Sequence, residues 1–481
     1  MSLQEKYEAV IGLEVHAQLA TRSKLFCGDS TSFGAVPNTQ VSPITLGHPG
    51  TLPKTNQKAV EYAIKMGLAC HCEIEQTNYF ARKNYFYPDL PKGYQISQHT
   101  TPICKGGFVT IHTSTGKKDV QLNRIHLEED AGKSIHDLDE NNTCIDLNRA
   151  GTPLIEIVTE PDMHSAEEAW HYVTEIRKLV QWLGICDGNM EEGSLRCDAN
   201  ISVRLRGNTT LGTKVEVKNL NSIRNVKKAI EFEIERIIEL LEKGESIKQQ
   251  TRSFDASNDT TFAIRDKEEA NDYRYFPDPD LAPFHLTESF ITDIKQRLPE
   301  LPAQLQRRLI ATYSLNEYDA GQLCDNMATA NYFEAVAKHT TQYKAIANWI
   351  LGPIRQYLNE QQKDFTTLTL QPASLSALIE LVQDSKVSFS VASSKLLPLL
   401  LEKDTDPLQL ATDMNLIMVN DGNMLEQWIE EAIAAMPDKV TEYKKGKKGL
   451  IGLFVGEVKK RSKGQADPKL VTALLEQKLN Q

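Results

Sequence analysis

Residues 7–19 read YEAVIGLEVHAQL and residues 193–206 read GSLRCDANISVRLR, and both alternate with a period of two. In the first, Tyr7, Ala9, Ile11, Leu13, Val15, Ala17 and Leu19 hold the odd positions, and Glu14, His16 and Gln18 fall on even ones. Successive side chains of a strand point to opposite faces, so the odd set packs while the even set projects together from the other side. The second stretch repeats this, with Leu195, Cys197, Ala199, Ile201, Val203 and Leu205 set against Ser194, Arg196, Asp198, Asn200, Ser202, Arg204 and Arg206. A turn at 207–212 leads into 213–219, whose even positions add Lys214, Glu216 and Lys218. One core face and one densely charged face is the pattern of an antiparallel sheet. For a single strand the plain alternative is a solvated face. Several strands that put carboxylates, Arg, Lys and His on one side favour a binding surface.

Two helices interrupt this region. Ser165 and Glu168 have capping-box spacing, Val173, Ile176, Leu179, Val180 and Leu183 follow at helical intervals, and Gly184 can close the end. The second helix is predicted over 222–243, with Ile223, Val226, Ile230, Ile234, Ile237, Ile238 and Leu241 on one side. Both read as structural. Beyond residue 290 the pattern turns helical, with short Pro-marked connections, and from 404 a smaller helical unit ends in basic residues. The expected fold is α+β: an antiparallel-sheet domain over 1–290, an all-helical domain over 291–403 and a small helical tail over 404–481.

A chain of 481 residues is too long for one core, and 40% hydrophobic with 25% charged residues is the balance of a globular protein. No apolar run is long enough to span a membrane, and the first residues lack the basic start and apolar core of a signal peptide. Eight scattered cysteines read as reduced thiols, so a cytoplasmic location is expected. The net charge of −11 argues against nucleic acid until it is located. Residues 437–481 hold eleven Lys or Arg against five acids, a local charge of +6.

Carboxylates beside imidazole suit a magnesium–nucleotide site, where oxygen ligands hold the cation and Arg or Lys neutralises phosphate. Candidate clusters are Glu14 with His16, residues 126–130 (HLEED), Glu156, and Glu191 with Glu192. Glu156 lies between apolar neighbours and needs a cation or a structural salt bridge. No phosphate-binding loop of the G-x-x-x-x-G-K-[ST] type occurs. Residues 82–98, RKNYFYPDLPKGYQISQ, interleave basic and aromatic side chains, so that Arg82, Lys83 and Tyr85 either meet nucleotide and RNA or pack on the sheet.

Seven segments together resemble the B subunit of aspartyl/glutamyl-tRNA amidotransferases: 11–16 (IGLEVH), 82–98, 126–133 (HLEEDAGK), 146–156 (DLNRAGTPLIE), 190–198 (MEEGSLRCD), 218–221 (KNLN) and 272–277 (DYRYFP). The likeness runs through the whole chain, tail included. It implies a glutamine-synthetase-like cradle, a helical domain and a tail that contacts tRNA. It also implies that Mg-ATP phosphorylates the side-chain carboxylate of Glu-tRNA(Gln) or Asp-tRNA(Asn), and that ammonia from a separate glutaminase then displaces phosphate. The implied partners are that amidase (glutaminase) chain and a small third chain in a heterotrimer, together with the tRNA. Carried onto this sequence, the metal ligands are His16, Glu129 and Glu156 with Glu14 beside them, and Arg196 joins Glu129 and Glu156 in catalysis. Glu128, Asp198, Lys218 and Asn219 are candidates for nucleotide or substrate contacts. In the tail, Lys447, Lys448, Lys459, Lys460, Arg461 and Lys463 are the expected tRNA-binding residues.

One departure stands out. Many relatives hold zinc with CxC and CxxC motifs, where this chain reads Phe26-Cys27-Gly28-Asp29 and Val41-Ser42-Pro43-Ile44-Thr45. One thiolate cannot build a tetrahedral site, so no structural zinc is expected. Cys70-His71-Cys72 reads as structural. The competing function is a non-catalytic tRNA-binding scaffold, which would have no use for carboxylates at a phosphate-docking surface.

Overall fold

The computed structural model describes residues 6–266, 273–418, 422–462 and 466–480. The chain divides into two compact units, 1–301 and 302–481.

The first unit is built on one large mixed sheet. Its main strands are β1 (Tyr7–Gln18), β2 (Ala81–Asn84), β3 (Tyr94–Ser97), β4 (Gly116–Glu129), β5 (Pro153–Thr159), β6 (Leu195–Leu205), β7 (Val215–Leu220), β8 (Gln250–Asp255), β9 (Thr260–Asp266) and β10 (Arg274–Pro277). They lie in the order β9-β8-β7-β6-β1-β5-β4-β3-β2-β10. The odd residues of β1 are buried, together with those of β6 from Leu195 to Val203, and they form one core with helices α1 (Gln57–Ala69), α2 (Ala166–Trp182) and α3 (Ile223–Glu242). Ser165 and Ser222 cap α2 and α3 by accepting from Glu168 N and Asn225 N.

Two expectations need adjustment. The sheet is not wholly antiparallel: β7 and β8 pair in parallel, with α3 making the crossover that such pairing requires. The unit also runs past residue 290, because the helix Glu288–Gln296, capped by Thr287, packs on α1.

The second unit is helical. Within it the helix Pro407–Asp413 packs on Pro372–Gln383, upstream of a separate small core. That core joins Leu425, Ile429, Tyr443, Phe454, Val458, Val471 and Leu475 from α4 (Gly422–Ala434), α5 (Pro437–Lys444), α6 (Ile451–Arg461) and α7 (Pro468–Asn480). Among the described residues no helix is long and apolar enough to cross a membrane.

Candidate active site

Strand register sets the polar side chains in rows. Arg196 lies opposite His16, His16 opposite Glu156, and Glu156 opposite His126, across the neighbouring strands β6, β1, β5 and β4. Directly opposed residues share a face, so these four stand in line on the side away from the core helices. Adjacent rows set Asp198 opposite Glu14 and Glu128 opposite Leu154. All of these but His126, together with Lys83, Tyr85, Asp130 and Lys218, line a cavity of about 590 Å³.

His16 Nε2 lies 3.5 Å from Glu128 Oε1 and 3.7 Å from Glu156 Oε2. His126 Nε2 lies 3.0 Å from Glu156 Oε2 and 3.7 Å from Glu128 Oε2. Burial alone would raise the Glu156 carboxyl, but the His126 and His16 imidazoles hold it well below the usual carboxylate range. Burial would likewise depress His126, yet Glu156 and Glu128 push it up to about 9. The donor atoms of His16, Glu128 and Glu156 fall within 4.8 Å of one another, close enough to share one ion. One imidazole nitrogen and two carboxylates, set in a cavity with open room, fit a hard divalent cation that keeps waters of its own.

A second acidic group, Glu14, Asp198 and Glu216, is compact as well. Lys218 Nζ reaches Asp198 at 2.7 Å and Glu216 at 2.9 Å, and these carboxylates raise its ammonium despite burial. Burial and the nearby Glu156 raise the Glu14 carboxyl, whose Oε1 accepts from Asn200 Nδ2 at 2.9 Å. Arg196 Nη2 donates to Asp130 Oδ2 at 3.0 Å, which also accepts from Gln18 Nε2 at 2.8 Å. Lys83 differs from these cations. Its ammonium stands 4.8 Å from the Tyr273 ring centre and 5.8 Å from that of Tyr85, and among the described residues it has no hydrogen bond or ion pair. Glu128 and Glu156 keep it charged against the pull of burial.

Other sequence candidates lie elsewhere. Glu129 does not join the histidine and carboxylate cluster. It follows Glu128 in β4 and so points to the opposite face, where it pairs with Lys92 and accepts from Ile96 N at 2.9 Å. Arg82 parts from Lys83 for the same reason. Its Nε meets Asp278 at 2.8 Å and its Nη2 meets Asp280 at 2.7 Å, beside Glu129 in a separate cavity that Lys24 and Cys27 also line. Next to Cys27, Asp29 Oδ2 accepts from Ser42 N at 2.8 Å and from Thr45 Oγ1 at 2.5 Å. Cys27 Sγ lies 3.3 Å from Thr45 Oγ1. The Asn219 side chain and Lys463 lie outside the described residues.

In the tail, Lys447 pairs with Glu442 at 3.0 Å, Lys448 donates to Asn480 Oδ1 at 2.6 Å, and Arg461 pairs with Glu457 at 3.0 Å and Glu431 at 3.2 Å. Lys459 and Lys460 are exposed at the end of α6 and have no ion pair among the described residues.

Known proteins carry the same arrangement of sequence. Residues 9–292 match the model of the GatB/GatE catalytic domain, and residues 331–479 match that of the GatB domain. The chain belongs to the GatB/GatE family. The B subunit of the aspartyl/glutamyl-tRNA(Asn/Gln) amidotransferase of Thermodesulfovibrio yellowstonii is 48% identical over 470 residues, 98% of either chain. Its counterpart in Nitratidesulfovibrio vulgaris is 47% identical over 473 residues, 98% of this chain and 99% of the relative. That of Caldicellulosiruptor saccharolyticus is 46% identical over 477 residues, 98% of this chain and 99% of the relative. Sequence reasoning picked out His126 and Asp130 only as members of the 126–130 cluster and gave neither a role of its own. Both were within reach of the alternation rule, since they share a face with Glu128 two residues away on either side.

Proposed function

We propose that this GatB/GatE chain is the carboxylate-activating subunit of a tRNA-dependent amidotransferase, acting on Glu-tRNA(Gln), Asp-tRNA(Asn) or both. The observation that carries the proposal is the His16, Glu128 and Glu156 trio set beside the uncommitted ammonium of Lys83 in one open cavity. A carboxylate is a poor acyl donor, and phosphorylation supplies the leaving group. A side-chain carboxylate oxygen of the aminoacyl-tRNA forms a bond to the γ-phosphorus of ATP as the bond to ADP breaks. Ammonia then attacks the acyl carbon, phosphate departs with the C–O electrons, and the nitrogen loses a proton to leave the amide. When bound, Mg²⁺ would supply charge neutralisation for the phosphates.

In this chain, His16, Glu128 and Glu156 would hold the cation. His126 fixes the Glu156 carboxylate by donating from Nε2. Lys83 meets the transferring phosphoryl group, and Arg196, oriented by Asp130, faces the same space. A glutaminase chain and a small third chain complete the heterotrimer, the tail contacts tRNA, and the complex works in the cytoplasm. A docking scaffold would gain nothing from three acidic or imidazole donors on the surface it offers to phosphate. Reconstituted complex supplied with ATP, Mg²⁺ and ammonium should amidate misacylated tRNA without glutamine. Glu156→Gln should lose that activity while the partner still hydrolyses glutamine. Amidation by the variant at the wild-type rate would refute the assignment.

A further inference from the structure

Residues 27–29 read Cys-Gly-Asp and residues 42–45 read Ser-Pro-Ile-Thr, the spacing of a C-x-C and a C-x-x-C pair with only the first thiol kept. In the fold these two pieces meet. Thr45 Oγ1 stands at the centre, 2.5 Å from Asp29 Oδ2 and 3.3 Å from Cys27 Sγ, and Asp29 Oδ2 also accepts from Ser42 N at 2.8 Å. A hydroxyl has one proton, and Thr45 gives it to the carboxylate, so the Cys27 thiol donates to Thr45. Burial pushes that thiol up and keeps its proton on. Burial would raise the Asp29 carboxyl too, but the bonds from Thr45 and Ser42 hold it below its ordinary value.

This donor set does not fit zinc. A structural zinc ion takes thiolate, imidazole or carboxylate ligands, whereas here the thiol is protonated, the carboxylate is committed and two positions offer neutral hydroxyls. Among the described residues, the groups compact enough to share an ion include none of the four. The joint bears on the cavity that Glu129 and Arg82 border. Cys27 and Thr45 line it, and the turn after Thr45 adds Gly47, His48 and Thr51 to its wall. The loop between the two pieces is held as well. The fully buried Lys24 donates from Nζ to Gln40 O at 2.7 Å, and Asn38 Nδ2 donates to Ile145 O at 2.9 Å.

We propose that Cys27, Asp29, Ser42 and Thr45 form a metal-free clasp. Its hydrogen bonds do what four thiolates at this spacing do around zinc: they pin 27–29 to 42–45 and fix one wall of the cavity. The clasp is independent of the reading that the larger cavity activates carboxylates. Its members are unequal. Thr45 joins two bonds and Asp29 accepts two, whereas Ser42 lends only its backbone N–H. The buried Ser42 hydroxyl has no hydrogen-bond partner among the described residues.

The test is amide hydrogen exchange of the full chain in its complex, read on peptides that span 27–45, beside elemental analysis of the same samples. Thr45→Val keeps the shape of the side chain and removes both hydroxyl bonds, so exchange over these peptides should quicken by at least about tenfold. Ser42→Ala should exchange as wild type does. A zinc-selective chelator, with Mg²⁺ in excess, should leave wild-type exchange unchanged. The triple variant Asp29→Cys, Ser42→Cys, Thr45→Cys joins three new thiols to that of Cys27. It should take up one Co²⁺ per chain with an intense thiolate-to-cobalt absorption band, and Zn²⁺ should slow its exchange. One zinc per wild-type chain, whose removal quickens exchange over 27–45, would overturn the clasp. Wild-type exchange in Thr45→Val would overturn it too, and this variant decides the matter even if the triple variant does not fold. A folded triple variant without the cobalt band would show that the four positions do not converge, which likewise overturns the proposal.

Discussion

Glu128 and Glu129 are adjacent in sequence and belong to different sites. Glu128 faces His16 and Glu156, whereas Glu129 pairs with Lys92 on the far side of β4. Glu128→Gln should therefore abolish ATP-dependent activation and weaken Mn²⁺ binding by at least about a hundredfold, as loss of a ligand does. Glu129→Gln should leave Mn²⁺ binding intact. Paramagnetic resonance titration of the two variants reads this directly, and equal losses in both would contradict the facing assigned here. His126 gives a second prediction. Its pKa rises from 6.5 to about 9 on folding without metal, so it favours the folded state fully below about pH 6.5 and loses that effect as pH rises through 9. The contribution reaches up to about 3 kcal/mol. In chelator, the melting temperature should fall between pH 6.5 and 9.5, and His126→Gln should flatten that slope. Adding Mg²⁺ should flatten it as well, because the cation takes over the role of the proton. The residues of this cluster were legible in sequence, but their grouping was not. Motif resemblance selects 126–133 as a block, and only the alternation of β4 tells its members apart.

Elements carry the site by register, so what fixes register fixes chemistry. β1 pairs with β6 over eleven consecutive positions and with β5 over five, which holds His16 between Arg196 and Glu156. A slip of one residue would turn all three to the core. The period of two in residues 7–19 and 193–206 showed this architecture plainly, and the capping-box spacing at Ser165 and the apolar periodicity of 222–243 marked the two helices. The parallel pairing of β7 with β8 was less visible, because a helix between two strands does not say which side the second will join. That far edge depends on one fully buried carboxylate. Glu233 of α3 meets Arg236 at 2.7 Å and Arg252 of β8 at 2.9 Å, and it also accepts from Thr261 of β9. Glu233→Ala leaves two guanidinium groups facing an apolar gap and should cost about 3–5 kcal/mol. Urea unfolding would show it, and a loss under 1 kcal/mol would mean that the edge strands are held by other contacts.

At the scale of the molecule, charge is divided. The net −11 of the chain conceals a tail segment of +6, and the tail has its own small core. Within that segment, the ion pairs of Lys447 and Arg461 and the hydrogen bond of Lys448 leave Lys459 and Lys460 the freest cations among the described members of the expected contacts. Substituting both with Gln should weaken tRNA binding without regard to sequence and reduce the slope of log affinity against log salt by up to about 2. An unchanged slope would make the basic end a solvated surface only. Sequence composition located this charge, but it could not show which lysines are already engaged within the tail.

Activation of the substrate carboxylate by this chain is the central claim, and oxygen tracing tests it most directly. Glu-tRNA(Gln) labelled with ¹⁸O in its side-chain carboxylate, turned over once by the complex with unlabelled ATP, should pass one ¹⁸O to inorganic phosphate for each amide formed. Complex carrying Glu128→Gln should release none. Phosphate free of ¹⁸O from the wild-type complex, with amide still produced, would show that the carboxylate is never phosphorylated and would contradict the account.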